Sequence, residues 1–360
     1  MNDRKYCKSI LHVGVADKFI PAFIDFNERE CKNDKLSHHY FFYHGYAIEK
    51  IREIPGVRYT NKGFVKHVFG YFRIIPSLLK ADKIIMHGMF DLGLVILMLL
   101  LPVDYRKVSW AIWGGDLYDL FKINKSRYSK TCDWIKRLLI KRIGLVTTTI
   151  PGDYQLLKEH MKIKAKYVEN IMYPSHFFRE NINRKKMDLT CKKTTVVQIG
   201  NSSDPRNNHI DAIERIPTTL TKSILLTLPM SYGNMDYREH VSRYLEKETK
   251  IKFNILKQYL TFEEYNTYLS TVDVAIFNHD RQQAVGNIIA LISLGKKVYI
   301  RNDVTTYIYL MENNIVVFDA YDLSDVDVPL TELEKNNNIF YARKLFNKEC
   351  LKESWFNVYL

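Results

Sequence analysis

Short runs of consecutive apolar and β-branched residues recur along the 360-residue chain, each closed by glycine or small polar residues and followed by helical spacing. Ser9–Gly14 reads as a first buried strand, and Pro21–Glu30 as the helix after it. Tyr40–Tyr43 is β-prone and ends at His44-Gly45, and Lys66–Leu79 mixes aromatic and basic residues in a helical pattern. Lys83–Met86 is a strand closed by His87-Gly88, Val108–Trp113 one that runs into Gly114-Gly115-Asp116, and Gly144–Thr149 one that stops before Pro151-Gly152. The pattern lapses into polar and basic residues over Glu180–Lys193, which predicts an interdomain linker. It resumes with Thr195–Ile199, a turn at Gly200, the polar run Asn201-Ser202-Ser203-Asp204, and a helix carrying Ile210, Ile213 and Ile216 on one face. Ile224–Leu228, Val272–Phe277, Lys297–Ile300 and Val316–Phe318 are further strands, with helices over Tyr237–Thr249 and Gly286–Leu294.

Runs that are apolar throughout, alternating with helices, belong to parallel sheets covered on both faces. The expected architecture is α/β, with two Rossmann-like domains facing a cleft, as in GT-B glycosyltransferases. Residues 1–183 form the N-terminal domain and 194–335 the C-terminal domain. A C-terminal helix in 336–360 is expected to pack back on the first. The greasiest stretch, Leu92–Leu101, is about half of the roughly 20 apolar residues that a spanning helix needs, so it reads as a buried core helix.

Composition narrows the picture. Five scattered cysteines (Cys7, Cys31, Cys132, Cys191, Cys350) without CxxC spacing argue against a disulfide framework or structural zinc, and point to a reducing compartment. The N-terminus lacks the apolar core and cleavage signal of a secretory peptide. A net charge of +13 favours anionic partners: nucleotide, lipid phosphate, a membrane surface or nucleic acid. Nucleic acid is the weakest of these, because the aromatics interleave with aliphatics as core residues do, and no ribonucleoprotein or KH-type signature is present.

Four polar clusters close predicted strands: His87-Gly88, Trp113-Gly114-Gly115-Asp116, Gly200–Asp204 and Asp280–Gln283. Ligands of α/β sheets bind at this edge, where helix N-termini attract phosphate. Plain alternatives exist: His87 as a turn residue, Asp116 and Asp204 as helix caps, Arg281 as a solvated cation.

Taken in order, HVG, HG, IWGGDLY, IGNSSDPRNNHI, LPMSYG and RQQAVGN over about residues 10–300 resemble the TDP-Fuc4NAc:lipid II Fuc4NAc transferase family, glycosyltransferase family 56. The resemblance implies a hexosyltransferase moving a Fuc4NAc-like deoxy-amino sugar from a dTDP-sugar donor to a polyprenyl-diphosphate-linked glycan. The product would serve enterobacterial common antigen or O-antigen synthesis, with the enzyme peripheral on the cytoplasmic face of the bacterial inner membrane. The residue chemistry is compatible with this. Asn201, Ser202, Ser203 and Asp204 offer a donor-binding loop, Arg281 a cation for the leaving diphosphate, and Gln282 and Gln283 amides for sugar or phosphate. Gly286 and Asn287 open a second helix N-terminus. Asp116 is the favoured base, His87 a base or acceptor-orienting residue, and His12 and Asp17 weaker candidates. No metal or other cofactor is expected: the Asp-x-Asp match, Asp325-Val326-Asp327, reads as a solvated loop.

Two other functions share these features. A GT-B-fold sugar-nucleotide epimerase or hydrolase would use the same phosphate loop without a lipid acceptor, and an RNA-binding protein would use the charge. A surface expectation completes the reading. Over Ser126–Ile143, Tyr128, Cys132, Ile135, Leu139 and Ile143 gather on a core-facing side. Lys130, Trp134, Arg137 and Lys141 gather opposite, suited to an anionic membrane surface.

Overall fold

A computed structural model of the protein describes residues 7–45, 47–60, 63–178 and 194–360. The chain forms two compact units: the segment up to Ser175 together with Lys348–Leu360, and His176–Asn347. The expected linker, Glu180–Lys193, lies outside the described residues.

The first unit carries seven parallel strands, β1 (Lys8–Val15), β2 (Leu36–Tyr43), β3 (Arg58–Tyr59), β4 (Lys83–His87), β5 (Val108–Ala111), β6 (Leu145–Thr148) and β7 (Lys166–Glu169). Their spatial order is β3-β2-β1-β4-β5-β6-β7. Between them run α1 (Ile20–Glu30), α2 (Ile48–Arg52), α3 (Phe64–Lys80), α4 (Leu92–Leu100), α5 (Gly115–Tyr118), α6 (Arg127–Ile140) and α7 (Pro151–Met161). Successive strand residues point to opposite faces. Leu11 and Val13 of β1 join a core with Ile74 and Leu78 of α3, Leu94, Val95 and Met98 of α4, Leu139 and Ile140 of α6, and Leu157 of α7. Each such fully buried side chain contributes about 1.5–3 kcal/mol.

Two helices differ from expectation. Only Leu94, Val95 and Met98 of α4 are buried, while Leu100 is 78% exposed, because the helix lies in an outer layer and one side alone meets the sheet. On α6, Leu139 is buried, but Tyr128, expected in the core, is 76% exposed. Trp134 is also exposed, at 60%. Arg137 leaves the expected cationic stripe: its guanidinium donates to Leu120 O at 2.6 Å and lies 5.6 Å over the Phe121 ring.

The second unit repeats the plan with β8 (Thr195–Ile199), β9 (Ile224–Pro229), β10 (Lys252–Leu256), β11 (Val274–Phe277), β12 (Lys297–Ile300) and β13 (Phe318–Asp319), ordered β10-β9-β8-β11-β12-β13. Its helices are α8 (His209–Glu214), α9 (Met235–Glu248), α10 (Phe262–Thr271), α11 (Val285–Ser293), α12 (Thr305–Glu312) and α13 (Glu332–Leu345). Asp325 keeps the exposure expected of it, with its side chain 46% exposed, but it is also anchored. It accepts from the buried Lys297 ammonium at 2.8 Å and from Tyr299 Oη at 2.5 Å, clamping its loop to β12. The single C-terminal helix expected over 336–360 is two. Asn338 of α13 bridges the backbone of Val316 in the second unit. A second helix, α14 (Lys348–Tyr359), belongs to the first unit, where Trp355 Nε1 donates to Met172 O at 2.8 Å and Tyr359 Oη to Asn27 Oδ1 at 2.5 Å.

Candidate functional site

In an open parallel sheet, ligands bind beyond the carboxyl ends of the strands where the strand order reverses. In the second unit that place lies between β8 and β11. The chain leaves β8 at Gly200 with φ +65°, where a Cβ would lie 2.5 Å from Asn207 Oδ1 and 2.7 Å from His209 Nε2. Glycine is therefore demanded by both backbone and space.

Asn207 organises the loop that follows. Its Oδ1 accepts from Asn201 N at 2.9 Å and meets His279 Nε2 at 2.8 Å, and its Nδ2 donates to Asp204 O at 2.9 Å and Ser202 Oγ at 3.3 Å. Asn201 Nδ2 donates to Tyr232 Oη at 3.1 Å, and Gln283 Nε2 lies 3.4 Å from Asn201 Oδ1. One asparagine thus ties the loops after β8 and β11 together. Ser203, expected among the phosphate donors, is fully buried with its amide donating to Tyr232 O and its hydroxyl to Met230 O. Its role is to hold the loops after β8 and β9 in register.

Arg281 follows β11 with its side chain mostly buried. One guanidinium nitrogen donates to Gln282 O at 3.0 Å, and another stands 3.4 Å from Asp204 Oδ2. Asp204 also caps the turn after the loop by accepting from Arg206 N at 3.0 Å. The buried amide oxygens of Gln282 and Gln283 have no hydrogen-bond partner, which leaves two acceptors for ligand hydroxyls. Gly286 and Asn287 lie in the first turn of α11, which brings a helix N-terminus to the same edge; the Asn287 amide itself is taken by Ala284 O at 2.8 Å. Asn201, Ser202, Asp204, Arg281, Gln282, Gln283, Gly286 and Asn287 are thus brought to one end of the sheet.

The corresponding edge of the first unit is aromatic. Trp113, just past β5, has its ring centroid 6.0 Å from Phe19, 5.6 Å from Phe90 and 5.8 Å from Tyr173. Asp116 lies beneath this cluster. One oxygen accepts from Met89 N at 2.9 Å and Trp110 Nε1 at 2.8 Å, the other from Trp113 N at 2.9 Å. Burial raises its pKa against the pull of these donors. A carboxylate so enclosed fixes the loops after β4 and β5. Asp17, in the turn after β1, is half-buried; its pKa is raised by burial, with the Lys18 charge and amide opposing.

His87, Asp116's expected companion, is wholly buried and belongs to a chain of rings. Trp113 Nε1 can only donate, and does so to Tyr173 Oη at 2.6 Å. The Tyr173 hydroxyl is 2.8 Å from His87 Nδ1, His87 Nε2 is 3.1 Å from His12 Nδ1, and His12 Nε2 is 3.0 Å from His38 Nδ1. With Tyr173 donating to His87, each imidazole in turn donates from Nε2, and the last N–H, on His38, is buried without a partner. His87 thereby positions Tyr173 and Trp113 from below. Tyr173, His38 and His279 lie outside the recognised motifs, and Asn207, though inside IGNSSDPRNNHI, carries no local mark of its role. The one signal for the chain was His12, a polar residue inside an otherwise apolar strand run.

These imidazoles make the fold acid-sensitive. Burial lowers His87 and His209 to about 3 and His38 to about 4 from an ordinary 6.5, and holds His12 and His279 well below it. Below pH 6.5 the unfolded chain takes up protons that the folded units refuse. Stability is therefore full above that pH and is lost as pH falls from about 6.5 toward 3–4, by about 1.4 kcal/mol per pH unit per imidazole. Urea midpoints at pH 7.5 and 5.0 should differ steeply; equal midpoints would contradict the burial of these rings.

Solved structures share the fold at low identity. Sucrose-phosphate synthase from Thermosynechococcus elongatus is similar at 13% identity and TM-score 0.70, over 98% of each chain. The Anabaena protein HepE, solved in complex with UDP, is 14% identical at TM-score 0.65, over 97% of this chain and 98% of its own. The N-terminal domain of Candida albicans trehalose-6-phosphate phosphatase is 13% identical at TM-score 0.67, over 99% and 97%. The two Rossmann-like sheets are those of GT-B glycosyltransferases. Residues 77–349, which include the β4 and β5 edge of the first unit and all the strand-end loops of the second, match the 4-alpha-L-fucosyltransferase family, glycosyl transferase group 56, and the chain belongs to that glycosyltransferase family.

Proposed function

We propose that the second unit binds a dTDP-sugar and that a Fuc4NAc-like deoxy-amino sugar passes from it to a polyprenyl-diphosphate-linked glycan held by the first unit. The observation that carries this reading is the convergence of Asn201, Arg281, Gln282, Gln283 and the α11 N-terminus at the switch point of the second sheet. An acceptor hydroxyl attacks the anomeric carbon, the bond to the diphosphate oxygen breaks, and Arg281 balances the charge gathering on that diphosphate in place of a divalent ion.

Asp17, half-buried in the turn after β1 and with a pKa raised by burial, is the carboxylate assigned to take the hydroxyl proton, while Asp116 and His87 support the loops around it. In this reading the enzyme is peripheral on the cytoplasmic face of the bacterial inner membrane, serving surface-polysaccharide synthesis. Lys130 and Trp134 of α6 and Lys141 at its C-cap face the anionic lipid, and nucleic acid is not a partner.

The test is transfer from dTDP-Fuc4NAc to a polyprenyl-diphosphate-linked disaccharide, followed by mass spectrometry with and without chelator. Product formed in chelator, and abolished by Asp17→Asn, is the expected result. Donor turnover without any glycolipid product would instead indicate a hydrolase or epimerase.

A further inference from the structure

The face of α3 turned away from the sheet is made only of apolar and cationic residues. Its exposed positions are Lys66, Phe69, Phe72, Arg73, Pro76, Leu79 and Lys80, with Phe69 64% and Phe72 66% exposed. At 100° per residue they span about 140° of the helix. Phe69, Phe72, Pro76 and Leu79 form an apolar stripe, and Lys66, Arg73 and Lys80 line one flank of it. Neither α3 nor α4 contains an acidic residue.

The apolar surface continues onto α4. The two helices meet closely at Gly93, where a Cβ would lie 2.1 Å from Tyr71 Oη, and Tyr71 donates to Asp91 Oδ1 at 2.6 Å. Ile96 and Leu100, one turn apart on α4, are exposed beside this contact. α6, with exposed Lys130 and Trp134, packs against α4 in turn.

We infer that α3 and α4 form the surface by which this protein enters an anionic lipid bilayer, with Phe69, Phe72 and Leu100 below the headgroups and Lys66, Arg73 and Lys80 among them. A helix with phenylalanines on one side and cations on its flank lies in the interface plane, and each cation near anionic lipid strengthens binding. A protein partner would have to supply carboxylates next to an apolar face, whereas a phospholipid surface presents both by construction. Among the described residues no helix is long and apolar enough to cross a membrane, so this contact is interfacial. The inference rests on the lipid-linked acceptor proposed above for its purpose, while the surface is tested separately from the active site.

The experiment is sedimentation with vesicles of phosphatidylglycerol and phosphatidylethanolamine, and with pure phosphatidylcholine, at low and high salt. Four proteins are compared: wild type, Phe69→Ser/Phe72→Ser, Lys66→Glu/Arg73→Glu/Lys80→Glu, and Lys130→Glu/Lys141→Glu. Wild type should bind the anionic vesicles. The phenylalanine pair should bind at least about tenfold more weakly at either salt concentration. The α3 charge variant should lose the salt-sensitive part of binding. Both α3 variants should keep the wild-type circular dichroism spectrum and urea unfolding midpoint, which reports an intact first unit, and should bind a nucleoside diphosphate as wild type does. Failure of wild type itself to bind nucleotide would count against the donor site and leave the vesicle result standing. The inference is overturned if wild type ignores anionic vesicles, or if Phe69→Ser/Phe72→Ser binds them normally. It also fails if that pair instead converts a wild-type dimer to monomer, which would make the occupant a second copy of the chain.

Discussion

Arg281→Ala is expected to lower kcat/KM for the nucleotide sugar at least about a hundredfold. A preorganised cation acting on a charge that develops in the transition state is worth about 2.7–4 kcal/mol, and about 1.4 kcal/mol is tenfold in rate. The substitution does more than remove a donor. Asp204 Oδ2, now 3.4 Å from the guanidinium, would remain as an uncompensated carboxylate beside the proposed diphosphate position. Nucleoside diphosphate affinity should therefore fall along with turnover. Adding Asp204→Asn to Arg281→Ala should recover part of the affinity, because the repulsion goes while the missing donor does not return. Steady-state kinetics and calorimetric titration of the nucleotide check both points. Unchanged turnover and affinity in Arg281→Ala would remove this residue from the site.

Asp116→Asn is expected to act on stability as well as rate. Three donors, Met89 N, Trp110 Nε1 and Trp113 N, converge on its two oxygens. An asparagine offers one oxygen and one NH2, so at least one buried N–H must face another N–H, at about 1–3 kcal/mol. Asp116→Ala strands all three donors and should cost at least about 3 kcal/mol, a large share of the 5–15 kcal/mol typical of a folded domain. Urea unfolding followed by tryptophan fluorescence reads this directly, since Trp110 and Trp113 are two of the partners. If Asp116→Asn kept full stability and lost only kcat, the carboxylate would be the proton acceptor and not the clamp. Asp17→Asn should show the opposite signature, a fall in kcat with little change in the unfolding midpoint.

The alternation of apolar runs with amphipathic helices was sufficient for the fold class. A strand covered on both faces must be apolar along its length, and β1, β4, β8 and β11 carry that pattern locally. Where spacing marked a helix, as for α1, α3, α9 and α11, its boundaries were legible to within a few residues because caps and spacing are local properties, whereas α7, α10 and α12 were not read. Where the polar clusters would gather was also readable, since parallel strands deliver their carboxyl ends to one edge whatever their order.

Which of those polar residues face a ligand and which face each other was not readable. Ser202 and Ser203 are neighbours with the same donors and acceptors on paper, yet Ser203 is spent on Met230 and Tyr232 while Ser202 accepts from Asn207. His38, His12 and His87 come from three strands that are adjacent only because the sheet is ordered β2-β1-β4. The leucine-rich run of α4 lacks polar residues to mark a side, so its half-exposure was set by the sheet beneath it. The break between α13 and α14, which gives one helix to each unit, likewise depends on partners outside both helices, Val316 for Asn338 and, 183 residues away, Met172 for Trp355. Local sequence decides which element forms, because its energetics are local. It does not decide which buried polar group meets which, because those partners are chosen by strand order and can be separated by well over a hundred residues.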